Sequence, residues 1–348
     1  MGNLSSCLGK KLSDSAAAIP GDIMLISKAE GFAYDAVVRG AHDDNDIKLE
    51  AAALPTPMVG VSIAPKSRGD EQKIAEVLTK LTESDPCFRI ERNPAANETV
   101  LRGMGDLHLR MAVERMSDQY AVEAETAVPT IPYRETIGKS AEGHAKHKKQ
   151  TGGAGQFGEV YLRIEPLGRG EGFDFVNKIV GGVIPAQFIP AIEKGVQSVL
   201  EGGAVAGFPM QDIRVSVYDG KYHAVDSKEV AFVAAGRKAF LEAVSKAGPV
   251  VLEPIVELEV TVPADNMGDI TGDLSSRRGR VSSTDSMPGG MISIIGQVPL
   301  AEMDDYQSRL KSMTGGEGSY TLEFSAYDPA PGDVQKKLSG AFQQAEED

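Results

Sequence analysis

VGVSIAPKSRGDEQKIAEVLTKLTESDPCFRIERNPAANETVLRGMGDLHLRMAVERMSDQYAVEAETAV, residues 59–128, is the stretch on which the fold turns. Alternation in VGVSIAPK predicts a strand. Ile74, Val77, Leu78 and Leu81 then recur at helical spacing and predict a helix with one apolar face. FRIERN and ETVLRGMG read as two strands joined by the turn-forming residues 94–97. Leu109, Val113, Met116 and Tyr120 align on a second helix, and YAVEAETAV closes the unit as a strand. Strand-helix-strand-strand-helix-strand is the split βαβ pattern of a ferredoxin-like sandwich.

The same order recurs near the C-terminal end. VLEPIVELEVTV is followed by a helix from about Met267 to Arg278, the strands RVSSTDSM and MISIIGQVPL across the turn 288–290, a helix over Met303 to Met313 and the strand SYTLEFSAY. What repeats is element order, not residue identity. The segment between combines the long strands YRETIGKSAEGHAK, EVYLRIEPL, FDFVNKIVG and MQDIRVSVYDGKYH with two helices. One begins after Pro185, turns Phe188, Ile192, Val196, Val199 and Leu200 toward a core, and stops at Gly202-Gly203. The other runs from about Lys228 to Lys246. Residues 1–53 predict short strands (DIMLISKA, AYDAVVRG) with turn-rich joins and an acidic loop at Asp43 to Asp46, part of a β-barrel. The expected fold class is therefore α/β (α+β). Two ferredoxin-like βαββαβ domains, at 54–128 and, with a C-terminal tail, at 250–348, flank an α/β domain at 129–249, with a partial β-barrel at the N-terminus, residues 1–53. Junctions near Pro129 to Pro132 and Gly248 to Pro249, where proline or glycine interrupts the pattern, are expected to move.

A chain of 348 residues exceeds what one core usually holds, so several small cores are expected. No apolar run is long enough to span a bilayer. The N-terminal residues lack the apolar core and cleavage site of a signal peptide, and the two cysteines, Cys7 and Cys87, suit neither a disulfide framework nor a zinc site. A reducing, cytoplasmic setting is expected. The net charge of −14 argues against a protein that coats nucleic acid, so any RNA contact must be local. Two basic clusters offer one: HAKHKKQT at 144–151, and Arg277, Arg278 and Arg280. Taken alone, each reads first as a solvated loop and second as an RNA contact.

No G-x-x-x-x-G-K-S/T loop opens a helix anywhere in the sequence. TGGAGQFG at 151–158 is rich in glycine but runs into a strand, as a hairpin tip does. The five histidines sit in unrelated contexts, without a nucleophile or metal-ligand pattern. No catalytic residue, cofactor or metal site is expected in this chain, and it is not expected to be an enzyme. Two loops stand out physically. KHKKQTGGAGQFG combines lysines with glycines that allow close backbone approach, and YDGKYHAVDS presents Lys221, Tyr222 and His223 from a strand end. On residue chemistry alone, a pair of solvated loops is the first reading and an RNA-facing tip the second.

The segments LPTPMVGVSIAPKSRGDEQKI, DPCFRIERNPAANETVLRGMGDLHL, PYRETI, QTGGAGQFGEV, GFDFVNKIVGGVIPAQFIPAIEKGV, GFPMQDIRVSVYDGKYHAVDSKEVAF, VLEPIVELEVTVPADNMGDITGDLSSRRGRV and VPLAEMDDYQSRLKSMTGG closely resemble elongation factor G, in the family's order. The resemblance implies a five-domain translational GTPase, of which this chain holds the end of the second domain and all of the third, fourth and fifth. The middle domain is then of the ribosomal-protein-S5-like kind. Implied partners are the ribosome, with ribosomal RNA, transfer RNA and messenger RNA at the decoding region, and the GTPase domain of the same polypeptide. GTP and magnesium belong to the full-length parent, and no membrane is involved. The third domain would transmit the state of the nucleotide site, the fourth would enter the space vacated by transfer RNA, and the fifth would rest on the large subunit. Gly152, Gly153, Gly155 and Gln156 fall in the first tip loop, beside Lys146, Lys148 and Lys149; Lys221, Tyr222 and His223 fall at the second. Ribosomal protection or recycling factors share the architecture, and a stand-alone RNA-binding module or interaction scaffold is the rival outside the family. Ala154 and Glu317 stand where the usual translocase has arginine, which resembles the divergent second paralogue and leaves translocation open.

Overall fold

The structure is a computed structural model, and it describes residues 3–27, 34, 36–37, 54–67, 69–93, 96–149 and 155–342. The acidic loop at 43–46, most of AYDAVVRG, and Gly152, Gly153 and Ala154 lie outside the described residues.

The chain divides into two compact units, one of residues 1–57, 65–90 and 101–124, the other of 58–64, 91–100 and 125–348. In the first, β1 (Leu4–Leu8), β2 (Lys11–Asp14) and β3 (Met24–Ile26) form an antiparallel sheet in the order β2-β1-β3. The sequence reading anticipated only β3. LSSCL and KLSD are short and mostly exposed, so they lack the apolar alternation that announces a strand. Among the described residues the sheet does not close into a barrel. Helix α1 (Glu71–Ser84) buries Ile74, Val77, Leu78 and Leu81, the expected stripe. Helix α2 (Asp106–Tyr120) buries Leu109, Ala112 and Met116. Val113 and Tyr120, expected on that face, are only half-buried, and Ala112, adjacent to Val113, is fully buried instead. Ala121, left-handed at φ 51°, ends the helix.

In the second unit, β4 (Val59–Pro65), β5 (Arg89–Asn93), β6 (Glu98–Gly103) and β7 (Ala124–Ala127) make a sheet in the order β5-β6-β4-β7, each strand having end residues in the first unit. The next segment holds β8 (Arg134–Ile137), β9 (Ala141–Lys149), β10 (Gln156–Pro166), β11 (Phe173–Asn177), α3 (Ile189–Gly202), β12 (Ile213–Lys221) and α4 (Glu229–Lys246). Its sheet runs β11-β12-β10-β9, with β11 and β12 parallel and the rest antiparallel. One face packs on α3 and α4 around Val160, Leu162, Ile192, Val196, Val215 and Phe240, all fully buried. Gly143 makes this possible: a Cβ there would lie 2.0 Å from the Ala239 carbonyl oxygen, so only glycine lets α4 lie this close to β9.

YRETIGKSAEGHAK, expected as one strand, is two. The chain breaks at 138–140, where the Gly138 and Lys139 amides both donate to the Ala247 carbonyl. β8 then joins the next domain instead of its own. That domain comprises β13 (Pro249–Pro263), α5 (Met267–Ser276), β14 (Arg280–Met287), β15 (Met291–Pro299), α6 (Tyr306–Thr314), β16 (Ser319–Pro329) and a final helix α7 (Gly332–Ala341). Its sheet runs β14-β15-β13-β16, and β8 adds to β13 with Ile137 opposite Pro249 and Arg134 opposite Leu252. Numbered within each repeat, this sheet and the β4–β7 sheet share the spatial order second-third-first-fourth, so the repeat in element order is also a repeat in topology. Val256, Leu258, Val260, Ile270, Ile294 and Leu310 form its core.

Because β13 starts at Pro249 already bonded to β8, a ladder of main-chain hydrogen bonds spans the 248/249 junction. The 129–132 junction is held mainly by side chains: Glu98 accepts from the Thr130 amide at 3.0 Å and hydroxyl at 2.7 Å. Limited proteolysis is therefore expected to cut within 129–132 before 248–249. A first cut at 248–249 would show that the strand pairing does not hold this junction.

Candidate nucleic-acid interface

Antiparallel pairing of β9 with β10 sets Lys148 opposite Phe157 and Lys146 opposite Glu159, while β12 places Lys221 on the other side of Glu159. Lys146, Glu159 and Lys221 thus share one row across three strands. The hairpin and the end of β12 are tied together beyond the sheet. Phe157 donates its amide to the Asp226 carbonyl at 2.9 Å, and the Ser227 hydroxyl donates to the Phe157 carbonyl at 2.9 Å. Ser227 Oγ also accepts from the His223 amide at 2.8 Å. A side chain on Gly155 would collide with the Asp226 carboxylate, 2.7 Å from the position its Cβ would take. The fold accordingly brings Lys146, Lys148, Lys149, Gly155, Gln156, Lys221, Tyr222 and His223 to one end of the domain.

Lys146, Lys148, Lys149 and Lys221 are exposed, as are Tyr222 and His223. The His223 Nδ1 lies 3.2 Å from both the Asp226 amide and its carboxylate. Both contacts fall on Nδ1 and orient the ring with Nε2 outward from Asp226. Gln156 Oε1 meets His147 Nε2 at 3.1 Å. Beneath the lysines, Glu159 is buried and bonded to His144 Nε2 at 2.9 Å and the Tyr161 hydroxyl at 3.3 Å. Burial pushes the Glu159 carboxyl upward, but the His144 hydrogen bond and the charges of Lys221 and Lys146 outweigh it and hold it below the usual carboxylate range.

A third loop, not singled out from the sequence, reaches the same end. Ile184 lies against Gly220, where an added Cβ would meet its Cδ1 at 2.4 Å, and Val180 in the same loop is 83% exposed. The only sequence sign is the GGVIP glycine pair, Gly181 and Gly182, both left-handed.

The arginine cluster is different. Arg277 pairs with Asp273 at 2.8 Å and Asp305 at 2.6 Å; Arg278 grips the buried Glu253 through both terminal nitrogens, at 2.6 and 2.9 Å. These cations serve the fold, and Arg280 alone of the three is exposed without such a pair among the described residues. Gly138-Lys139-Ser140 repeats the last letters of a phosphate loop, but Tyr133 stands at the leading glycine position. No helix follows, and the Gly138 and Lys139 amides are already bonded to Ala247. It cannot cradle a phosphate as such loops do. Among the described residues no cluster of three His, Cys, Asp or Glu side chains could hold a metal ion, and no helix is long and apolar enough to cross a membrane.

The family described as elongation factor G, domain III matches residues 54–128; elongation factor G, domain IV matches 129–248; and the elongation factor G C-terminus matches 250–338. A translation-factor class is what these successive domains define. The chain belongs to the elongation factor G family. It is 44% identical over 329 residues to an elongation factor G-like protein of Thermotoga maritima, a match covering 94% of this chain and 48% of that protein. A crystal structure from Thermus thermophilus is similar at a TM-score of 0.80 and 41% identity, over 97% of this chain and 50% of that one. The chain thus spans about half the length of the relatives it matches.

Proposed function

We propose that this chain is the ribosome-reaching portion of an elongation-factor-G-like translation factor, and that its domain IV tip meets transfer RNA and messenger RNA at the decoding region during translocation. The observation that carries the reading is the meeting of the β9 and β10 ends with the end of β12, which sets the exposed Lys146, Lys148, Lys149 and Lys221 at one end of the domain in a chain whose net charge is −14. Phosphate binding needs a local excess of cations, and this is where the fold gathers one. Among the described residues no carboxylate or histidine cluster suits a magnesium ion and no G-x-x-x-x-G-K-S/T loop opens a helix, and we assign hydrolysis to a GTPase domain of the parent polypeptide. A cytoplasmic location goes with this role.

The test is His223→Ala in the parent factor. The side chain is 57% exposed, and the His223 amide keeps its bond to Ser227 in the variant. The ring also accepts from the Asp226 amide, so thermal melting is measured alongside to separate a lost contact from a loosened tip. Ribosome binding should weaken by about 1 kcal/mol or less, as for one polar contact, whereas single-turnover translocation should slow clearly. Wild-type translocation by a variant of an active parent would overturn the tip assignment.

A second reading, a paralogue that binds without translocating, is favoured by Glu317, exposed in the loop after α6 where the resemblance leads one to expect arginine. A parent that binds ribosomes but does not translocate would select it.

A further inference from the structure

The face of the domain IV sheet away from α3 and α4 has an ordered composition. Side chains alternate along a strand, so Gly158, Val160, Leu162 and Ile164 point to the helices while Phe157, Glu159, Tyr161 and Arg163 of the central strand β10 point away. Lys146 Nζ lies 5.4 Å from the centre of the Phe157 ring, and His144 stacks on Tyr161 at 4.0 Å and 19°. Both aromatic rings of β10 are half-exposed. The anions of this face are mostly spent within it: Glu159 on His144 and Tyr161, Glu142 on Arg163 and Asp219 on the Gly220 amide. Among the described residues Lys146, Lys148 and Lys221 make no ion pair, although Lys146 and Lys221 flank the Glu159 carboxylate, and Lys146 also lies over the Phe157 ring. What the face offers outward is therefore aromatic surface, with exposed lysines on the flanking strands at its tip end.

We propose that this helix-free face binds single-stranded RNA, with bases stacked on Phe157 and on the Tyr161–His144 pair and phosphates taken by the lysines of the flanking strands. The proposal rests on the RNA-facing reading of domain IV, and extends it from the loops down the sheet. Four residues separate the two rings, about 13 Å along the strand, far enough for each to take its own base. Aromatic side chains on central strands, with cations beside them, suit unpaired bases because every base has a stacking face and an intact duplex hides it.

The experiment measures binding of the full chain to a short fluorescent oligoadenylate and to an RNA duplex of the same length. Tyr161→Leu and, separately, Phe157→Leu should each weaken oligoadenylate binding about tenfold, the range of one lost base stack, with the salt dependence unchanged. Tyr161→Phe keeps the ring and should bind like the wild type. The proposal is overturned if the wild type does not bind the oligonucleotide, if both leucine variants bind it normally, if duplex binding falls as far, or if Tyr161→Phe loses as much as Tyr161→Leu. Failure of the tip reading is a separate result, seen as unchanged ribosome binding when the tip lysines are removed.

Discussion

Replacing Lys146, Lys148 and Lys149 together with alanine is expected to flatten the salt dependence of RNA binding by up to about three units of log-log slope on duplex-like RNA, and by about two on single strands. Each phosphate contact releases condensed counterions, and the slope counts those contacts. The chain carries fifty acidic against thirty-six basic side chains, so its overall field repels RNA. At physiological salt that field is screened within about 8 Å, and only cations at the contact itself can register. Lys148 and Lys149 end β9, where nothing among the described residues neutralises them. Lys146 also covers Phe157, so circular dichroism and thermal melting should accompany the titration. If these three were merely solvated, slope and affinity would both match the wild type, and the tip would have to be abandoned as the RNA contact.

The second large effect concerns stability. Glu135, fully buried on β8, accepts four main-chain hydrogen bonds: from Ala204 and Ala206 at 2.8 Å and from Val205 and Phe208 at 3.0 Å. The loop from Gly203 to Phe208 has almost no secondary structure and is wrapped around this one carboxylate. Glu135→Ala would remove the shared acceptor of four loop amides, of which that of Ala206 is buried and the others partly buried. Each orphan costs about 1–3 kcal/mol, and partial access of water keeps the sum nearer about 4 kcal/mol than the arithmetic total. For a cooperative unit of this size that is a fall in melting temperature of about 10 °C. Glu135→Gln should also destabilise, since its amide nitrogen would face donors where an acceptor is needed. A melting temperature within about 2 °C of the wild type for the alanine variant would mean that the loop finds other partners.

Much of this architecture was legible in local pattern. Ile74, Val77, Leu78 and Leu81 lie where a helix with a single buried stripe must place them, and α1 buries them all. Pro185 opens a 3-10 turn over Ala186–Phe188 that leads into α3. Pro190 stands in the first turn of α3, where proline suits a helix start, and the Gly202-Gly203 pair ends it because glycine accepts the backbone that ends a helix. The strand-helix order of the two repeats followed from the same periodicities, as did the hairpin that carries Lys146 and Lys148. Such signals are readable because neighbouring residues alone produce them. They also showed, through charge, that any RNA contact had to be local.

Tertiary structure decided everything that depends on partners distant in sequence. Arg277 and Arg278 read as a basic patch until Asp273, Asp305 and Glu253 are brought to them by folding, and a guanidinium in such pairs is no longer available to phosphate. YRETIGKSAEGHAK has the alternation of one long strand; that β8 leaves its own domain for β13 rests on the Ala247 carbonyl, more than a hundred residues on, taking the Gly138 and Lys139 amides. Glu135 is an unremarked acid in PYRETI, yet buried it organises a loop seventy residues away. The row of Lys146, Glu159 and Lys221, and the aromatic face around it, exist only through cross-strand register, which period-two alternation leaves undetermined until strands from three parts of the chain pair.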